Sequence, residues 1–294
     1  MATITVPQVV PSPVEDAEAL MKAFQGWGTD EQAVIYILAH RDAAQRKLIR
    51  QAYEEKYSEN LVQGLQSELS GDLQTAMSYW ILDPVERQAA IANAATKCVS
   101  EEYPVIVEIA CANSPADLLQ LLLALVSTYR YDGDEVDGGL ARSEAKTIHE
   151  AVTRDGGGTI MDHGELTRIL GTRSRAQLVA TLSCFRDEHG GTTVVKALLH
   201  GSDPTGYARA LRIAARCVAD ANKYLAKVLR NAMRSSSGTD EESLSRVVVM
   251  HAEKDLRDIK EEFQKRASVA LEQAVAKETS GDYKTFIMAL VGSQ

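Results

Sequence analysis

The chain has 294 residues, and its 41 acidic residues outnumber its 32 lysines and arginines, so its formal net charge is −9. This acidic balance argues against nucleic acid as the main partner, because phosphate backbones are bound by basic surfaces. Aromatic residues make up only 5% of the chain and there are only 7 prolines, a composition that favours helices over a β-sandwich or barrel.

The first residues lack the basic, apolar and small-residue regions of a signal peptide, and we expect residues 1–12 to form a tail. Helices should follow, because apolar residues then recur at three-to-four spacing, as at Val34 and Leu38. The sequence Thr-Asp-Glu-Gln at residues 29–32 has the form of a capping box that opens a helix. No segment alternates like a strand, so the fold is predicted to be all-α.

The middle of the chain contains the richest apolar run, Leu118 to Val126, which Gln120 interrupts. This run is far shorter than the ~20 residues of a membrane-spanning helix, so any membrane contact should be peripheral. The acidic, glycine-rich segment 131–141 is predicted to be a linker. The four cysteines contain no Cys-x-x-Cys pair, which indicates reduced thiols in the cytosol. They are Cys98, Cys111, Cys184 and Cys217.

Four helical segments rich in leucine, isoleucine or valine can be aligned as internal repeats. Their end residues, Arg41, Asn113, Arg173 and His251, are 72, 60 and 78 residues apart, so the period is near seventy with one short interval. The predicted repeats span residues 13–82, 83–130, 142–217 and 218–294.

Two half-motifs recur 210 residues apart with the same internal spacing. Glu68 follows Gly28 by 40 residues, and Glu278 follows Gly238 by 40 residues, each within matching Gly-Thr-Asp-Glu and Ser-Gly-Asp sequences. A glycine-rich turn exposes backbone carbonyls, and a distant carboxylate can complete the ring of oxygens that Ca²⁺ prefers. The pattern therefore predicts two calcium sites, through which an acidic protein could meet an anionic surface.

Several of these motifs together resemble the annexins, and specifically the plant annexins, over almost the whole chain. The resemblance rests on residues 26–31 (Gly-Trp-Gly-Thr-Asp-Glu), 43–46, 68–72 (Glu-Leu-Ser-Gly-Asp), 127–136, 173–178 and 279–283. It implies four repeats of about five helices each, packed as a curved disc. It also implies calcium sites on the convex face that bind acidic phospholipid reversibly.

The resemblance assigns calcium ligands in the first and fourth repeats. In the first repeat, three backbone carbonyls and one carboxylate would surround the ion, and every position fits: Phe24, Gly26, Gly28 and Glu68. In the fourth repeat, serine replaces the first glycine, the residue that best tolerates unusual φ values. The four corresponding positions are Arg234, Ser236, Gly238 and Glu278.

The second and third repeats are expected to lack such sites. The second repeat has no Gly-x-Gly-Thr sequence. In the third, the glycine run at 156–158 is out of register, because aligning Arg173 with Arg41 places Met161 opposite Thr29.

The second repeat is also short. Between Asp117 and Leu121 the sequence passes from the second helix almost directly to one resembling a fifth. About thirty residues of a ~70-residue repeat are absent there, which predicts the loss of the third and fourth helices.

Four single residues have a functional and a plain structural interpretation. Trp27, between two glycines, should be exposed and enter the lipid interface, although it could fold back into the core. His40 matches a position proposed as a haem ligand in plant annexins, but a lone histidine is a weak haem signal and we favour a polar helix end. Cys111 and Cys217 match proposed redox-sensing cysteines, and could equally be small buried hydrophobes.

The leading hypothesis is a cytoplasmic protein that binds acidic phospholipid at the inner face of the plasma membrane or at endomembranes when calcium is present. Actin and self-association on the membrane are further expected partners, and the resemblance suggests a role in stress responses. The alternative is an enzyme, either a haem-type peroxidase using His40 or a nucleotide hydrolase. A calcium-permeable conductance is held by analogy alone. The motifs favour binding over catalysis.

Overall fold

A computed structural model describes residues 1–25, 28–97, 103–112, 133–153, 163–198, 207–234 and 238–292. Every regular element within these ranges is a helix, so the all-α prediction is confirmed. The helices are α1 (Pro13–Phe24), α2 (Glu31–Ala39), α3 (Ala43–Tyr57), α4 (Leu61–Glu68), α5 (Gly71–Trp80), α6 (Pro84–Lys97), α7 (Tyr103–Ala112), α8 (Gly138–Thr153), α9 (His163–Thr172), α10 (Arg175–Glu188), α11 (Val194–Ala197), α12 (Tyr207–Ala232), α13 (Glu241–His251), α14 (Leu256–Ala267), α15 (Leu271–Glu278) and α16 (Gly281–Val291). The chain divides into two compact units, one comprising Met1–Ile91 with Leu225–Gln294 and the other Ala92–Tyr224.

Short-range hydrogen bonds fix the beginnings of the first helices. Ser12 and Glu15 form a reciprocal capping box at α1, and Asp42 and Gln45 form another at α3. The Asn60 side chain accepts from the first amides of α4. These caps satisfy the backbone donors that a helix start leaves free, which allows successive helices to be joined by short turns.

The capping box predicted at residues 29–32 is different in the structure. Asp30, not Thr29, caps α2, and its Oδ1 accepts from the Ala33 amide at 3.0 Å. The Thr29 hydroxyl instead donates to Glu68, a residue 39 positions away. Sequence spacing alone could not distinguish the two, because either side chain can cap a helix.

The five helices α1–α5 have counterparts 210 residues further along the chain. Helix α15 (Leu271–Glu278) reproduces α4 (Leu61–Glu68) residue for residue in position and length, and α16 begins 210 residues after α5. Within their shared unit, α13 packs against α5 and α16 packs against α2. The two sets therefore bury corresponding faces against each other.

A polar cluster lies in the core of this unit. The guanidinium carbons of Arg46 and Arg87 lie 3.7 and 4.9 Å from the centre of the Trp80 ring. The Trp80 Nε1 donates to the Leu38 carbonyl at 2.8 Å. Glu253 accepts from Arg46 Nη2 at 2.8 Å and lies 3.7 Å from Arg87. Burial, together with repulsion from Arg46, lowers the pKa of Arg87 to about 9.

The second unit has its own apolar core, to which Ile148, Ile169 and Phe185 contribute. Within it, the buried carboxylate of Glu144 accepts from Arg173 Nε at 2.6 Å. Because charged groups are buried at low cost only when paired, this ion pair fixes α8 against the turn before α10.

Two predicted boundaries in the second unit differ from the structure. The segment predicted as a linker, 131–141, already contains the start of α8, because Asp137 Oδ1 accepts from the amides of Gly139 and Leu140. The predicted border between 217 and 218 falls inside α12, which is broken at Asp220 (φ −164°, ψ 92°). The predicted shortening at 117–121 lies outside the described residues.

Candidate calcium sites

The first site is a closed loop between α1 and α2. The Asp30 amide donates to the Ala23 carbonyl at 2.9 Å, which brings the two ends of the loop together. Gly28 has φ +101°, a value that side chains oppose, and this orientation depends on glycine. Gly26 and Trp27, the other two predicted residues of this loop, lie outside the described residues.

Glu68 is brought to this loop from the end of α4, and its side chain is exposed. The Thr29 hydroxyl lies 2.8 Å from Glu68 Oε2 and 3.1 Å from the Glu68 carbonyl oxygen. One hydroxyl thus fastens both the backbone and the carboxylate of Glu68 beside the Gly28 turn. Carboxylate and carbonyl oxygens are hard donors, and this donor set fits Ca²⁺.

The second site repeats this arrangement in the other half of the unit. The Asp240 amide donates to the Ala232 carbonyl at 2.8 Å, and Gly238 has φ +113°. The Thr239 hydroxyl lies 3.0 Å from the carbonyl oxygen of Glu278. Ser236, the position of the replaced glycine, lies outside the described residues.

The two loops differ in length. The closing hydrogen bond joins residues 23 and 30 in one loop, but 232 and 240 in the other, so the second loop has one more residue. Counted from the helix end, Met233 and not Arg234 takes the place of Phe24, and Arg234 takes that of Gln25. This corrects the position-by-position assignment, which used a constant offset of 210.

The two carboxylates also have different partners. Glu278 Oε1 accepts from the ammonium group of Lys277 at 2.9 Å, whereas Glu68 accepts from Thr29. The residue that corresponds to Lys277 in the first site is Ser67, whose hydroxyl donates to the Gly64 carbonyl. Sequence analysis overlooked both threonines and Lys277, although comparing the two motifs residue by residue would have singled them out.

Other metal-binding arrangements were sought in the described part of the chain. There, no three histidine, cysteine, aspartate or glutamate side chains lie close enough together to hold a metal ion. Among the same residues, no helix has the length and apolar character that a membrane span requires.

His40 and the two cysteines occupy separate positions. His40 ends α2, with Nδ1 2.9 Å from the Tyr36 carbonyl oxygen, so that nitrogen carries the proton. Cys217 is fully buried, and burial raises the pKa of its thiol, which opposes thiolate chemistry. Cys111 is half-buried, and Cys98 lies outside the described residues.

Sequence comparison decides the family. The annexin family model matches residues 15–80 and again residues 224–290, the two segments that contain the candidate sites. Annexin-like protein RJ4 from Fragaria ananassa is 47% identical, over 95% of this chain and 96% of its own. The chain belongs to the annexin family.

Annexins of known structure have the same fold. Annexin III superposes with a TM-score of 0.88 at 27% identity, covering 99% of this chain and 97% of its own. The crystal structure of calcium-bound annexin (Sm)1 superposes with a TM-score of 0.77 at 23% identity, over 99% of this chain and 93% of its own. The resemblance to plant annexins found in the sequence is thereby confirmed, and calcium is bound by a protein of this fold.

The alignment with RJ4 also bears on chain length. It runs over 307 positions, while 95% of a 294-residue chain supplies about 279 of them, so about 28 positions hold no residue of this annexin. This agrees in size with the shortening predicted from the repeats; its location at 117–121 stays a prediction.

Proposed function

We propose that this annexin binds acidic phospholipid membranes reversibly when calcium is present, mainly through the site of the first repeat. The observation that supports this most directly is the pair of hydrogen bonds from Thr29 to Glu68. They hold a carboxylate beside a glycine turn before any ion arrives, so little side-chain entropy remains to be lost on binding.

Four residues would hold the ion at this site: the carbonyls of Phe24, Gly26 and Gly28, and the carboxylate of Glu68. Calcium takes six to eight oxygen ligands, so protein groups alone leave positions for water or for phosphate oxygens. When bound, the ion supplies the positive charge that an acidic protein needs at an anionic surface. Gly28 orients the turn, and Thr29 keeps the carboxylate in place.

In the fourth repeat, the carbonyls of Met233 or Arg234, Ser236 and Gly238 would act with Glu278. The longer loop and the pairing of Glu278 with Lys277 make this the weaker site. Trp27 would add an amphipathic indole at the lipid interface next to the first site. Attachment from the cytoplasm to the plasma membrane or endomembranes follows from this mode of binding.

The test is co-sedimentation with vesicles of phosphatidylserine and phosphatidylcholine across a calcium titration, followed by chelator. We expect binding by the wild type that reverses with chelator. Glu68→Gln should raise the calcium concentration at half-maximal binding by about tenfold or more, because a charged ligand is lost. Glu278→Gln should raise it less. Full binding by the double variant would refute the proposal.

A further inference from the structure

We infer that Lys277 competes with calcium for Glu278 and thereby raises the calcium concentration that the fourth-repeat site requires. This rests on the proposed function of the two sites. It assigns a regulatory role to a residue that is not itself a calcium ligand, and it explains why two similar motifs should fill at different calcium concentrations.

The first observation is the ion pair itself. Lys277 Nζ lies 2.9 Å from Glu278 Oε1, and the lysine side chain is 81% exposed while that of Glu278 is 33% exposed. Calcium ligation needs the same carboxylate oxygens, so the ammonium group must move away before the ion can be held. The two cations would otherwise repel each other at close range.

The second observation is the contrast with the first repeat. There the corresponding residue is Ser67, a neutral side chain that is occupied with the Gly64 carbonyl. The Glu68 carboxylate accepts from the Thr29 hydroxyl, a partner that brings no positive charge. Both carboxylates end an eight-residue helix at positions 210 apart, so the neighbouring residue is the clearest charge difference between them.

The size of the effect follows from the exposure of the pair. Exposed ion pairs contribute little because water and salt screen them. We therefore expect removal of the lysine charge to lower the calcium requirement of this site by about two- to fivefold, and by less at high salt. Because the Lys277 side chain is largely in solvent, its replacement should leave the fold unchanged.

The experiment isolates each site in turn, using vesicles of phosphatidylserine and phosphatidylcholine and the full-length protein. In a Glu68→Gln background, Lys277→Ser should lower the calcium midpoint of vesicle binding about two- to fivefold. Lys277→Arg, which keeps the charge, should leave the midpoint where it was. In a Glu278→Gln background, Ser67→Lys should raise the midpoint by a similar factor.

An unchanged or higher midpoint in Lys277→Ser would overturn the inference, and a higher one would indicate that Lys277 contacts the lipid headgroups instead. If the fourth repeat alone supports no binding, the Ser67→Lys variant decides: an unchanged midpoint there also overturns it. The proposed function fails separately, because its failure means that the wild type itself shows no calcium-dependent sedimentation.

Discussion

Thr29 and Thr239 occupy equivalent places, yet only Thr29 reaches the carboxylate of its partner acid. Thr29 contacts both the carbonyl and the carboxylate of Glu68, whereas Thr239 contacts only the carbonyl of Glu278. The sequence predicted which acid belongs to which loop from the 40-residue spacing. The different hydrogen bonding arises because Lys277 offers Glu278 a charged alternative.

Gly28 provides a test of the loop geometry. Its φ is +101°, and a methyl group there would contact nothing within 4 Å, so the cost of alanine is backbone strain alone. We expect Gly28→Ala to destabilise the protein by about 1–2 kcal/mol and to raise its calcium requirement. Urea unfolding and vesicle binding measure the two effects.

Gly138→Ala is the matched control for this substitution, because Gly138 is also in open space but begins α8 without a positive φ. It should leave both properties near wild type. A Gly28→Ala protein with normal calcium dependence would show that the turn tolerates another conformation.

Asp255 predicts a pH dependence of stability. Burial by itself would raise the pKa of Asp255, but the hydrogen bond and charge of His251, 2.6 Å away, lower it below its usual value near 3.8. A lowered folded-state pKa means that Asp255 stabilises the fold above about pH 4, and that this contribution disappears as the pH falls through the folded-state pKa.

The measurement is the free energy of unfolding of wild type and Asp255→Asn from pH 6 to pH 3. The variant should be less stable at pH 6, and the difference should shrink toward pH 3. A difference that is constant across this range would contradict the assignment.

At the scale of helices, local periodicity predicted the helical class and the spacing of the repeats, but not what joins α3 to the loop after α13. Glu253 makes that connection: it accepts from the Ala43 amide at 2.7 Å and from Arg46 Nη2 at 2.8 Å. Arg46 is 1% exposed on its side chain. Residues separated by more than 200 positions thus form one buried ion pair.

Glu253→Gln should be strongly destabilising, by about 3–5 kcal/mol, because it leaves the buried guanidinium of Arg46 without a counter-charge. Chemical denaturation monitored by circular dichroism measures this. Asp187→Asn removes the carboxylate of an exposed pair with Arg186 and should change stability by less than about 0.5 kcal/mol. Similar losses in the two variants would show that Arg46 finds another partner.

At the scale of the whole molecule, the N-terminal tail is fastened to the last helices. The Thr3 amide donates to the Ala252 carbonyl at 2.7 Å, and its hydroxyl donates to the Leu290 carbonyl at 2.6 Å. The Met1 amino group lies 3.0 Å from Asp258 Oδ2. The sequence predicted residues 1–12 as a tail, and nothing in their composition indicated where the tail would bind.

Gly292 is the point of closest approach to this tail. A Cβ there would lie 2.5 Å from the Thr3 carbonyl oxygen, and φ is +84°. Gly292→Ala should therefore displace the tail and lower the unfolding free energy by about 2 kcal/mol or more, through strain and lost hydrogen bonds. Thermal unfolding and protease sensitivity of the first residues measure both effects.

Gly190→Ala separates strain from the clash, because Gly190 has φ +61° but no atom within 4 Å of an added Cβ. It should cost only the strain, about 1 kcal/mol. Equal losses at the two glycines, with the tail still protected from protease, would mean that the tail does not pack closely on Gly292.

The sequence by itself determined the helical class, the annexin family and the pairing of Gly28 with Glu68 and of Gly238 with Glu278. These follow from local periodicity and repeated spacing, which a single chain displays directly. Tertiary structure decided that Thr29 holds Glu68, that Lys277 pairs with Glu278, that Glu253 bridges to Arg46 and that Thr3 binds beside Gly292. Such contacts depend on how packed helices present their side chains, because distances across a fold are set by burial and not by separation along the chain.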